Sequence, residues 1–199
     1  MCPYVEKIET QTKFVILMHP KEFKKVKNNT GRFTHLALPN SELFIGVDFT
    51  NHRRINEIIK THQSYVLFPS KSAHDLSNEP FSKSEKPLAI FLIDSTWACA
   101  KSIFKESRNL CSLPHLSFTT NKTSQYEIKE QPQSHCLSTI ESTQVVLELL
   151  AKHGIETIQK QKLENFLRPF YKMVAYQKSI IQNPKSRAVR WKKSNMQDF

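Results

Sequence analysis

Hydrophobic positions along this chain gather in short runs, divided by polar stretches rich in charge, serine or proline. The longest unbroken run, Leu88-Ala-Ile-Phe-Leu-Ile93, stops abruptly on Asp94. Apolar residues without polar alternation read as a strand covered on both faces, as in a parallel sheet. Similar runs predict strands at Lys13–Met18, near Glu42–Gly46, at Ser64–Phe68 (ended by Pro69) and at His115–Thr119. Helical patterns fall around Lys21–Lys27, at His52–Lys60, Trp97–Leu110 and Thr139–His153, the last closed by Gly154. A final helix spans Thr157–Ile181, with Pro169 expected to kink or break it. Asn28–Gly31 reads as a loop leading into a short element at Arg32–Leu38. Lys71–Lys86 reads as an excursion or mobile loop, and Thr120–Ser134 as a polar connection. Strands alternating with helices imply an α/β domain built on a mainly parallel sheet, and no internal repeat is visible.

The chain has 199 residues, which suits one compact domain over 1–182 followed by a basic C-terminal tail over 183–199. No apolar run approaches the ~20 residues that span a bilayer. Met1-Cys-Pro-Tyr-Val-Glu-Lys7 lacks a basic region followed by a long apolar segment, so no export signal is expected and the cytoplasm is the default compartment. The four cysteines, Cys2, Cys99, Cys111 and Cys136, form no C-x-x-C pair. Neither a structural metal nor a disulfide framework is therefore expected.

The formal net charge is +11, with 29 Lys and Arg against 18 Asp and Glu. Such a balance favours a polyanionic partner through phosphate neutralisation. From Asn165 to Gln197 there is no acidic residue, whereas Arg187, Arg190, Lys192 and Lys193 cluster around Trp191. Cations interleaved with an aromatic suit single-stranded or looped RNA. An ordinary disordered tail has the same composition, and an arm of this kind can order on binding. An anionic membrane surface fits the charge alone.

Candidate chemistry lies at strand ends and helix starts. The three glycines, Gly31, Gly46 and Gly154, cannot build a G-x-G-x-x-G loop or a P-loop, which removes ordinary dinucleotide and NTPase readings. Asp94-Ser-Thr96-Trp97 sits where ligands bind in open α/β sheets. Asp94 or Thr96 would serve equally as a helix N-cap, and position alone does not choose. His19, in Met18-His19-Pro20-x-Glu22, reads foremost as a structural hydrogen-bonder. Arg32, after Asn29-Thr30-Gly31, offers a forked donor for a carboxylate or phosphate, or is a plain surface arginine. Ser138 and Glu141 match a capping box, and the same helix start could receive an anion.

These segments together resemble the DTW-domain family of tRNA-uridine aminocarboxypropyltransferases. The order of motifs carries the resemblance: His19-Pro20-x-Glu22, Asn29-Thr30-Gly31-Arg32, Leu67-Phe68-Pro69, Asp94-x-Thr96-Trp97, Ser124-x-Tyr126 and Leu137-Ser138-Thr139-x-Glu141. It runs from about Phe14 to Lys178. It implies a SPOUT-like fold with a knotted cofactor site. The implied reaction moves the 3-amino-3-carboxypropyl group of S-adenosylmethionine to a tRNA uridine and leaves 5′-methylthioadenosine. On that basis Asp94, Thr96 and Trp97 are the expected catalytic residues, with Asp94 as general base. Phe68, Pro69, Leu137, Ser138 and Thr139 are expected to enclose S-adenosylmethionine, and Arg32 and the tail residues to meet tRNA. Two features depart from the family: only Cys2 stands where relatives carry a cysteine cluster, and Glu127 and Lys129 follow Tyr126 where basic residues are usual. The first departure reflects either a truncated start or a member without zinc. The alternatives are a SPOUT-type RNA methyltransferase and a non-catalytic RNA-binding module.

Overall fold

A computed structural model describes residues 2–25, 29–82, 84–128 and 136–182. After a single turn at Cys2–Tyr4, the chain runs β1 (Lys13–Met18), α1 (Pro20–Lys25), α2 (Thr30–Ala37), β2 (Ser41–Ile45) and α3 (Arg53–Thr61). It continues through β3 (Gln63–Leu67), β4 (His74–Asp75), β5 (Leu88–Asp94), α4 (Trp97–Glu106), α5 (Arg108–Cys111) and β6 (His115–Ser117). Three helices follow: α6 (Thr139–Lys152), α7 (Lys160–Asn165) and α8 (Arg168–Gln182).

The strands form one sheet in the order β2-β1-β5-β3-β6-β4, and every pairing is parallel. Parallel pairing needs crossovers, and the crossovers cover both faces, which explains the unbroken apolar runs of β1 and β5. Phe14, Ile16, Ile90 and Leu92 point to one core with Phe33 of α2 and with Ile140, Leu147 and Phe170 of α6 and α8. Val15, Leu17, Ala89 and Phe91 point to the other, with Ile55 and Ile58 of α3, Ile103 of α4 and Leu110 of α5.

This order creates a switch point between β1 and β5. From β1 the chain passes through α2 on one face to β2. From β5 it passes through α4 and α5 on the other face toward β6. The connections diverge and leave a crevice at the carboxyl ends of the two strands, the usual ligand position in such sheets. Met18 and Asp94 are register partners at that end, and His19 N–H donates to the Asp94 carbonyl at 3.3 Å.

Several elements differ from the sequence expectation. Helix α2 starts at Thr30, so Gly31 lies within it and not in a loop. Asn29 caps it by accepting Arg32 N–H at 2.9 Å. The helix expected over Trp97–Leu110 divides at Ser107, whose buried hydroxyl accepts Phe49 N–H and donates to the Val47 carbonyl. The final helix is two pieces, and Pro169 falls in the first turn of α8, where its missing N–H costs no helical bond. Within the Lys71–Lys86 stretch, residues 71–82 are anchored. Its Leu76 is fully buried and accepts from His153 Nε2 at 2.8 Å, and Phe81 packs against Tyr65, His74 and His153.

Candidate functional site

Asp94 ends β5 and is 5% exposed. Three helices begin beside it. Thr96, two residues on, caps α4 by accepting Cys99 N–H. Thr139, the first residue of α6, donates its hydroxyl to Asp94 Oδ1 at 2.6 Å. Thr30, the first residue of α2, donates to the same oxygen at a longer 3.4 Å. Free N–H groups at helix starts favour negative charge, so this edge of the sheet is electrostatically prepared for anions. Gly31 adds a steric condition. A Cβ at that position would lie 2.5 Å from both Cγ and Oδ2 of Asp94. Only a residue without a side chain lets the helix lie this close to the carboxylate.

A second buried carboxylate lies in the first turn of α6. Glu141 accepts Ser138 N–H at 2.8 Å and the Ser138 hydroxyl at 2.5 Å, so the expected capping box forms. It also accepts the Ser124 hydroxyl at 2.9 Å and Gln125 N–H at 2.7 Å. Tyr126 follows, with its N–H on Ser124 Oγ at 3.1 Å and its ring edge-on to Phe170. Burial pushes the Tyr126 phenol up to about 12, and the charges of Asp94, Glu22 and Glu141 push the same way. It therefore stays a neutral hydroxyl across the physiological range.

The remaining sequence-selected residues divide. Phe68, just past β3, contacts the rings of Trp97, Phe104 and His115 at centroid distances of 6.0, 4.6 and 5.8 Å. Trp97 is 39% exposed at the start of α4, and Pro69 is exposed. Leu137 lines a cleft of about 410 Å³ together with Lys122, Glu141 and Tyr171. Arg32 stacks over the Phe23 ring at 4.3 Å, and its Nη2 donates to the Phe23 carbonyl at 3.5 Å. His19 Nδ1 accepts Lys21 N–H at 3.1 Å. Arg187, Arg190, Trp191, Lys192 and Lys193 lie outside the described residues. Among the described residues no cluster of three or more His, Cys, Asp or Glu side chains could hold a metal, and no helix is long and apolar enough to cross a membrane.

A family model described as DTW domain matches residues 1–178. The chain belongs to the DTW domain family. The motifs on which the resemblance rests therefore belong to one family domain, and they meet at the carboxyl edge of the sheet and the loops beside it. Curated relatives carry the name tRNA-uridine aminocarboxypropyltransferase 2. The Mus musculus protein is 31% identical over 183 residues, covering 89% of this chain and 59% of the relative. The Macaca fascicularis protein is 29% identical over 183 residues, with the same coverage of 89% and 59%. The Drosophila melanogaster protein is 30% identical over 171 residues, covering 83% of this chain and 64% of the relative. The chain thus spans about three-fifths of the length of these relatives. No solved structure matches it.

Four members of this site are not legible as such in the sequence: Thr30, Gly31, Tyr126 and Glu141. Thr30 and Gly31 read locally as part of a loop, and their contact with Asp94 depends on strand order. Tyr126 appeared only within a motif. The second function of Glu141 was hidden by its capping box, which already explained a glutamate at that position.

Proposed function

We propose that this chain transfers the 3-amino-3-carboxypropyl group of S-adenosylmethionine to a uridine base in tRNA, releasing 5′-methylthioadenosine. Domain 1–182 would carry the catalysis in a SPOUT-like fold with a knotted cofactor site, and the basic segment 183–199 would meet the RNA. The observation that carries this reading is a buried aspartate at a sheet switch point, held by the first residues of two helices. The names of the curated relatives support the choice of reaction.

The residues present fit the co-substrate chemically. The helix starts at Thr30, Thr96 and Thr139 suit a carboxylate, and the Phe68–Trp97 pair offers an aromatic wall for a base. Arg32 adds a fixed positive charge near the start of α2 for a carboxylate or an RNA phosphate. When bound, S-adenosylmethionine supplies a carbon activated by its sulfonium, whose leaving group departs as a neutral thioether. No acid is needed for that departure. Asp94 takes the proton of the uracil imide nitrogen as the new C–N bond forms, and the C–S bonding pair stays on sulfur. Thr139 and Thr30 hold the Asp94 carboxylate in one orientation, which is where alignment contributes to rate.

The test is nucleoside mass spectrometry of unmodified tRNA incubated with the protein and S-adenosylmethionine. An aminocarboxypropyl gain on uridine with methylthioadenosine release is expected. A methyl gain would instead identify a methyltransferase. Saturable tRNA binding with no mass change on any tRNA tried would favour a binding module.

A further inference from the structure

We infer that Glu141 is a positioning residue for the Asp94 centre, beyond its part in capping α6; the inference rests on the reading just given. A capping box requires only that the glutamate reach back to the N-cap N–H. Here the buried carboxylate also gathers the Ser124 hydroxyl and Gln125 N–H, from a segment 17 and 16 residues earlier. That segment has no regular hydrogen-bonded structure through Gln125, so its backbone is held by side-chain bonds of this kind. Ser124 donates to Glu141 and accepts Tyr126 N–H, which extends the hold to Tyr126. On its other side Glu141 fixes Ser138, and the next residue, Thr139, donates to Asp94. One side chain thus joins the start of α6, whose Thr139 donates to Asp94, to the 124–126 segment.

The geometry requires a carboxylate. Gln125 N–H binds Oε1 and Ser138 N–H binds Oε2. Both are backbone donors and cannot reverse. The amide of Glu141→Gln has one oxygen, so one of these N–H groups must face an NH₂ group. The serine hydroxyls can rotate to adapt, but the backbone groups cannot. The variant therefore releases either the 124–126 segment or the start of α6.

Two variants test the role. Glu141→Gln breaks one side of the junction, and Ser124→Ala removes the hydroxyl between Tyr126 and Glu141 while leaving the capping box whole. Hydrogen exchange reads the hold on residues 123–127. Single-turnover rate and S-adenosylmethionine affinity read its effect on the reaction, well below the melting temperature. Expected are faster exchange over 123–127 in both variants, a turnover loss of about 10- to 100-fold, and co-substrate affinity within about threefold. Unchanged exchange overturns the inference. So does faster exchange with turnover within about twofold of wild type, which is the result for a cap alone. If wild-type protein makes no aminocarboxypropyl product, the proposed function fails first, and the positioning role falls with it.

Discussion

Gly31 lies against the carboxylate of Asp94 so closely that one added methyl would stand 2.5 Å from its Cγ and Oδ2. The contact joins the second residue of α2 to the last residue of β5, and it fixes where the carboxylate can point.

Gly31→Ala opposes two effects. Alanine favours a helix over glycine by about 1 kcal/mol. Overpacking at a buried contact costs about 1–3 kcal/mol and is relieved only by moving Asp94 or α2. Overpacking outweighs propensity, so stability falls by less than about 2 kcal/mol. Turnover responds far more, because a displacement near 1 Å at a reacting group costs about 100-fold. Thermal melting together with single-turnover rate checks this. A variant with wild-type turnover would show that Asp94 does not depend on this contact.

Ser107→Ala probes the fold away from the chemistry. The fully buried hydroxyl satisfies Phe49 N–H and the Val47 carbonyl, and its loss strands both. The expected cost is about 1–3 kcal/mol in denaturant unfolding. Turnover at a temperature where the variant remains folded should stay within about twofold of wild type, since no residue of the Asp94 network is touched.

Tyr126 predicts a stability change in alkali. Its phenol ionises near 10 when unfolded and about 12 when folded, because of burial and then the charges of Asp94, Glu22 and Glu141. The folded state therefore holds the proton more tightly. Its contribution is fully present below pH 10 and is lost as pH rises through about 12. Tyr126→Phe removes that contribution to the pH dependence, so its stability should fall less steeply than wild type across this window. Parallel slopes in paired denaturant titrations would contradict the assignment.

The sequence carried the strand-end aspartate clearly, because a buried parallel strand reads as an apolar run and Asp94 interrupts it. It could not carry the switch point, since nothing local to β5 places that strand between β1 and β3. Gly31 shows the same limit: after two asparagines and a threonine it reads as a turn, yet it serves close approach inside a helix. The break at Ser107 was hidden by buried Ile103 and Leu110, which sit seven apart, at helical spacing. Long-range bonds to Val47 and Phe49 accompany the break. The excursion at Lys71–Lys86 looked polar as a whole, and its order comes from Leu76 and Phe81 meeting distant partners.

The most direct test compares wild type with Asp94→Asn in single-turnover transfer from S-adenosylmethionine to unmodified tRNA, with binding of both substrates measured in parallel. The account predicts that wild type produces aminocarboxypropyl-uridine and methylthioadenosine in equal amounts. Asp94→Asn should bind both substrates and lose about 10²- to 10⁴-fold in rate, the usual worth of a general base. Near-normal turnover by Asp94→Asn, or a methylated uridine from wild type, would contradict it.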